Sequence, residues 1–246
     1  MSLDRLVRRR AMAPLAPLAV AAALAFGGSA AVGWGPASAQ EGTPAAGTEP
    51  GVQDAPAAEL DCEANPPTPA ETFSIVGEES EARYRAQEEL ASVGATEAVG
   101  RTNALIGNIL FGEDGLPLAC SGFAVDLRTL QSDSARRDNY LWENTLETGT
   151  YPLATFLLSA VEGLEEPLAD GEETTFRMIG NLTVRDATRL VAWETTATRD
   201  GDALNGSATL TFEMPDFGIE PPVVGPVVSL DETVALEVDI VAERAG

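Results

Sequence analysis

From residue 73 onward, apolar and polar side chains alternate with a period of two, the pattern of a strand with one buried face. The last segment shows it most clearly. Val234, Leu236, Val238 and Ile240 fall on one face, and Ala235, Glu237, Asp239 and Val241 on the other. Phe176, Met178, Leu182 and Val184 alternate with Arg177 and Thr183, and Ala208, Leu210, Phe212 and Met214 with Thr209, Thr211 and Glu213. Further strands are predicted over residues 81–90, 99–111, 123–127, 154–161 and 188–199. Turn-forming sets separate them, among them Gly112-Glu113-Asp114-Gly115, Asp170-Gly171, Asp200-Gly201-Asp202 and Asn205-Gly206. One stretch departs from this period. Residues 132–144 carry charges and apolar side chains at helical spacing, with Ser132, Asp133 or Ser134 able to cap the start, and predict one short helix.

Eight or nine strands, each with one apolar face, must bring those faces together. The fold class expected is all-β: an extended eight-stranded antiparallel barrel, which also removes exposed strand edges. Such a barrel is either filled by side chains or holds one small or slender ligand, and periodicity alone leaves both open.

The N-terminal residues follow different rules. Arg5, Arg8, Arg9 and Arg10 precede an Ala- and Leu-rich run to about Val32, and Ala37-Ser38-Ala39 supplies the small residues of a cleavage site. Residues 1–39 read as a secretory signal, whose removal leaves no transmembrane anchor. Residues 40–70 are rich in Ala, Pro, Gly, Thr and acids and nearly devoid of large apolar side chains, so they read as a disordered acidic linker. The barrel domain is expected over residues 71–246. Cys62 and Cys120 are the only cysteines. In an exported chain such a pair reads as a disulfide, although two unrelated thiols fit the sequence as well.

Composition removes several function classes. The formal charge is −24, all fifteen cationic residues are Arg, and there is no His. A surface for nucleic acid needs clustered cations, so no nucleic-acid partner is expected. Without His there is no Ser-His-Asp triad, no Cys-His dyad and no His-ligated zinc. No metal site, catalytic residue or cofactor is expected. The acidic pairs Glu165-Glu166 and Glu172-Glu173 lie in predicted loops and follow no EF-hand pattern.

Four motifs in order point to a family. They are Ser132-Asp133-Ser134-Ala135-Arg136-Arg137-Asp138-Asn139-Tyr140-Leu141 followed by Tyr151-Pro152-Leu153-Ala154-Thr155-Phe156; Gly180-Asn181-Leu182-Thr183-Val184; Asp216-Phe217-Gly218-Ile219; and the closing segment 231–240. Together they resemble the YceI-like family over roughly residues 73–245. The resemblance implies a lipocalin-like barrel in an exported bacterial protein, periplasmic or extracellular. It also implies an apolar lipid partner, a polyisoprenoid or isoprenoid quinone, held in an elongated tunnel. Tyr140 and Arg185 stand where many members carry His, so any role of those His is absent here.

The candidate ligand wall is the inward face of the later strands: Phe156, Leu158, Phe176, Met178, Leu210, Phe212, Leu236, Val238 and Ile240. These residues serve equally well to fill an ordinary core. Arg136, Arg137 and Asp138 either position a ligand head group or hold the helix to the barrel, and Trp142 is placed to cap one end. Asp216 is expected to shape a turn. The alternatives to a lipid binder are a filled barrel acting as a cell-envelope interaction or stress-response module and, last, a carboxylate-based enzyme. Monomer and homodimer are both compatible with the sequence.

Overall fold

The structure, a computed structural model, describes residues 48–222 and 227–246. The expected signal segment, residues 1–39, lies outside the described residues. Among the described residues no helix is long and apolar enough to cross a membrane.

The strands are β1 (Gly51–Val52), β2 (Glu71–Ile75), β3 (Glu81–Leu90), β4 (Gly94–Thr102), β5 (Leu105–Phe111) and β6 (Gly122–Asp126). They continue with β7 (Leu153–Glu162), β8 (Glu173–Val184), β9 (Ala187–Asp200), β10 (Ala203–Glu213) and β11 (Val227–Arg244). All pair antiparallel. Strands β5 to β11 pair in chain order, β11 turns back onto β2, and β2 pairs with β5, which closes the ring. Along the same edge of β11, β2 meets residues 242–244 and β3 meets residues 227–239. β2 and β3 are therefore two halves of one barrel strand, and β4 and β5 are two halves of the next. Counted so, the fold is the closed eight-stranded antiparallel barrel that the alternation predicts. Along β10 the rule is plain: Leu204, Ala208, Leu210 and Phe212 are buried, while Asn205, Ser207, Thr209 and Thr211 are exposed.

The breaks are chemically specified. A short 3-10 turn, Gly77–Glu79, separates β2 from β3. Ser80, fully buried, satisfies the backbone there: its hydroxyl donates to the Val76 carbonyl (2.9 Å) and accepts from the Val241 N–H (3.0 Å). At Gly77 a Cβ would collide with the Leu105 carbonyl, so only glycine fits. The expected single strand 99–111 is thus two, β4 and β5, parted at Asn103-Ala104, where Asn103 donates to the Ser80 carbonyl. Among the described residues β4 bonds with no second strand beyond its pairing with β3. Its Arg101 exchanges backbone hydrogen bonds with Gln131 instead (2.8 and 3.0 Å).

The helix is shorter than the spacing suggests. α1 covers Ala135–Tyr140, and residues 141–145 form a π-turn. Ser134 is the cap, its hydroxyl accepting from the Arg137 N–H. Asp138, buried, accepts from both the N–H and the hydroxyl of Ser132 (2.9 and 2.6 Å). These bonds pull the helix start into a tight loop and set its first turn.

The linker assignment needs correction over residues 48–70. This segment lies along the barrel. β1 pairs with Val191 and Ala192 of β9, beside the point where β10 has parted from β9. Asn181 receives the Ala58 N–H and donates to the Ala58 carbonyl (2.7 and 2.8 Å). Cys62 is joined to Cys120 by a disulfide. A polar segment with no core of its own is ordered here because backbone bonds and a covalent tether supply what apolar burial cannot.

Candidate functional site

Strands β3 and β4 supply small residues to the lumen. Ala82, Ala86 and Ala98 point inward where the later strands present Phe, Leu and Val. The broken strands and these alanines leave a cavity of about 450 Å³ in the half of the barrel next to α1. That volume lies within the range of small-molecule sites. Its walls are apolar: Val125, Leu182, Val184, Phe212, Met214 and Val234 are representative. It reaches the strand ends at Leu90 and Val227 and the exposed Arg136 on α1. The opposite barrel end is closed. Leu164 and Leu168, from the loop after β7, are buried there against Phe73, Phe111, Phe176 and Leu204. A second cavity of about 70 Å³ remains beneath them.

An aromatic trio divides the two spaces. Phe123, Phe156 and Trp193 stand with ring centroids 5.6, 6.2 and 6.0 Å apart. Phe123 borders both cavities, Trp193 the larger and Phe156 the smaller. The Phe156 ring lies over Gly180, where a Cβ would strike it, so the glycine on β8 makes room for this partition.

The candidate wall residues distribute accordingly. Phe212, Leu236 and Val238 border the large cavity. Phe156, Leu158, Phe176, Met178, Val238 and Ile240 border the small one. Leu210 is buried and borders neither. Much of the large cavity's wall comes instead from β3 and β6, with Ala98 of β4; the sequence predicts these strands, but none of the candidate wall residues lies on them. On β3 the inward positions are Ala82, Tyr84, Ala86, Glu88 and Leu90. Small and polar residues there give no hydrophobic alternation, and the usable signal is Ala82, Tyr84 and Ala86 alternating with Arg83 and Arg85.

The polar groups at the α1 end divide into committed and uncommitted ones. Arg137 Nη2 pairs with Glu88 at 2.6 Å, the Glu88 side chain being only 4% exposed, and Arg137 also pairs with Asp133. Asp138 is held by Ser132, as above. The Arg137–Glu88 pair fastens α1 to β3, and the other two contacts brace the start of the helix. The Arg137→Ala variant leaves a buried carboxylate without its partner, at a cost of about 1–3 kcal/mol. Urea denaturation should show that loss as a lower midpoint at unchanged m-value, and Arg137→Lys should recover part of it. Burial pushes the Tyr84 hydroxyl up to about 12, so it is protonated at neutral pH. Arg136 also borders the cavity, but it makes no ion pair or side-chain hydrogen bond among the described residues.

The remaining candidates lie elsewhere. Glu165, Glu166, Glu172 and Glu173 are all exposed. Trp142 donates its ring N–H to the Leu130 carbonyl (3.1 Å) and is not on the cavity wall. Asp216 shapes a turn, its carboxylate accepting from the Glu213 N–H (2.9 Å) ahead of Gly218 in the left-handed region. Of the two residues in the family's His positions, Tyr140 borders the cavity, and Arg185 pairs with Glu147 at 2.6 Å.

A sequence model described as a YceI-like domain matches residues 73–242. Among solved structures, the chain is similar to a polyisoprenoid binding domain from Saccharophagus degradans implicated in plant cell wall breakdown. That match has 14% identity and a TM-score of 0.56, and covers 70% of this chain and 98% of that one. It is also similar to BcnA of Burkholderia cenocepacia, at 15% identity and a TM-score of 0.54, covering 68% and 98%. At these identities the likeness establishes the fold. No curated protein matches the chain.

Proposed function

The chain belongs to the YceI-like domain family, and on that premise we propose that it binds an apolar lipid, a polyisoprenoid or isoprenoid quinone, inside the barrel. The observation that carries this reading is the apolar cavity of about 450 Å³ reaching one barrel end. A filled core has no such space, which disfavours the filled-barrel alternative. Each buried methylene contributes about 0.8 kcal/mol, so a flexible isoprenoid tail gains affinity from the walls alone. The S. degradans domain is described as polyisoprenoid binding, and its likeness to this chain supports the same ligand class. We further propose that the protein is exported, since residues 1–39 have the composition of a cleaved signal and the chain carries a disulfide. The role is that of a carrier or scavenger, with no catalytic step.

Organic extraction of the purified protein followed by mass spectrometry should recover an isoprenoid lipid. Adding an isoprenoid quinone to delipidated protein at a hundred times its Kd should stabilise it by about 2.7 kcal/mol. For a domain of this size that is a rise in melting temperature on the order of 5–10 °C. No extracted lipid together with no thermal shift would overturn the reading.

A further inference from the structure

We infer that Arg136 is a head-group site, and that the preferred ligand is a single-tailed amphiphile with an acidic head, a carboxylate or a phosphate. This rests on the lipid-binding reading above and specifies the end of the ligand that the cavity wall does not. Three arginines border the cavity: Arg83, Arg136 and Arg137. Arg83 is consumed outside the barrel by Glu81, Glu237 and Asp239, at 2.6–2.8 Å. Arg137 is consumed by Glu88 and Asp133. Arg136, the neighbour of Arg137 on α1, has no acid or carbonyl to bind among the described residues. It is exposed, yet it borders an otherwise apolar space.

The setting makes this cation unusual. The chain carries 39 acidic residues against 15 arginines, yet among the described residues Arg136 and Arg189 have no acidic partner, and of these two Arg136 borders the cavity. The acids that border the cavity are already engaged, Glu88 and Asp133 with Arg137 and Glu237 with Arg83 and Arg85. A guanidinium binds a carboxylate or phosphate through paired parallel hydrogen bonds. A ligand seated with its tail against Phe212, Leu182 and Val234 would present its head toward α1. A cationic head is disfavoured there, and a bare hydrocarbon leaves the guanidinium unused.

Four probes with one branched C20 tail test this: phytane, phytol, phytanic acid and phytyl phosphate. Each displaces the neutral dye N-phenyl-1-naphthylamine from the delipidated protein. The acid and the phosphate should bind about five- to tenfold more tightly than the alcohol, as expected for a charge-assisted bond at a partly wet site. Arg136→Gln should bring both down to the affinity of phytol and leave phytol and phytane unchanged. High salt should narrow the preference in the wild type. The ratio of phosphate to carboxylate affinity identifies which head chemistry is favoured. Equal binding of acid and alcohol by the wild type, or equal weakening of all four probes by Arg136→Gln, would overturn the head-group site while leaving lipid binding standing. Failure of all four probes to bind would remove the lipid reading and this inference together.

Discussion

Phe156→Ala should lower stability by about 3–5 kcal/mol, the usual loss for truncating a fully buried phenylalanine, and should at the same time lengthen the tail that the barrel accepts. Phe156 is 1% exposed and packs against Phe123 and Trp193. Its ring is one of three that separate the large cavity from the small one. Phe156 borders the small cavity and packs on Phe123, which borders both, so removing its ring should enlarge the small cavity toward the large one and open a path that ends at Leu168 and Phe176. Tails too long for the large cavity then gain about 0.8 kcal/mol for each additional methylene buried. Urea denaturation measures the first effect. The second is read from the chain lengths of lipids bound by variant and wild type when both are offered an isoprenoid alcohol series. A fall in midpoint with an unchanged length preference would show that the trio is core packing and not the floor of the site. Phe156→Leu, which keeps most of the volume, should lose far less stability and change the length preference little.

Loss of the disulfide is the other large effect. The bond joins residues 58 apart in sequence, and in the chain-entropy account closing a loop of that length restricts the unfolded chain by about 4 kcal/mol. Replacing Cys62 and Cys120 together by Ser should therefore lower the melting temperature by roughly 8–16 °C. The same replacement should release the segment around Ala58, seen as faster amide hydrogen exchange over residues 53–65. The β1 pairing with β9 should persist longer, since its hydrogen bonds do not depend on the tether. A stability loss below about 1 kcal/mol would mean that Asn181 and β9 already confine the segment in the folded protein and that the unfolded chain is compact without the bond. Reducing agent added to the wild type should reproduce the double variant.

The strands were legible where alternation was strict and the residues large. β3 runs over residues 81–90 as read, and β9 extends one residue past its expected ends on either side. β4 was truncated because Gly94, Ala95, Thr96, Glu97 and Ala98 offer no large apolar residue to mark a buried face. The helix was overextended because period alone cannot see that residues 141–145 widen into a π-turn. The order of residues 48–70 was hidden for a different reason. Its contacts reach residues more than a hundred positions away, Ala58 to Asn181 and Gly51 to Ala192, and a polar segment gives no local sign of them.

By itself the sequence determined that this chain is a β-barrel, which side chains face inward on most strands, and which chemistries are impossible for lack of His. Each of these is a local or compositional property. The tertiary structure alone decided that the barrel has an apolar cavity, that Phe212 borders it while Leu210, two residues away on the same face, does not, and that among the described residues Arg137 is paired while Arg136 is not. A cavity is the difference between the volume a closed ring of strands encloses and the volume that side chains from all of them fill. Neither quantity belongs to any one segment, so no reading along the chain can yield it.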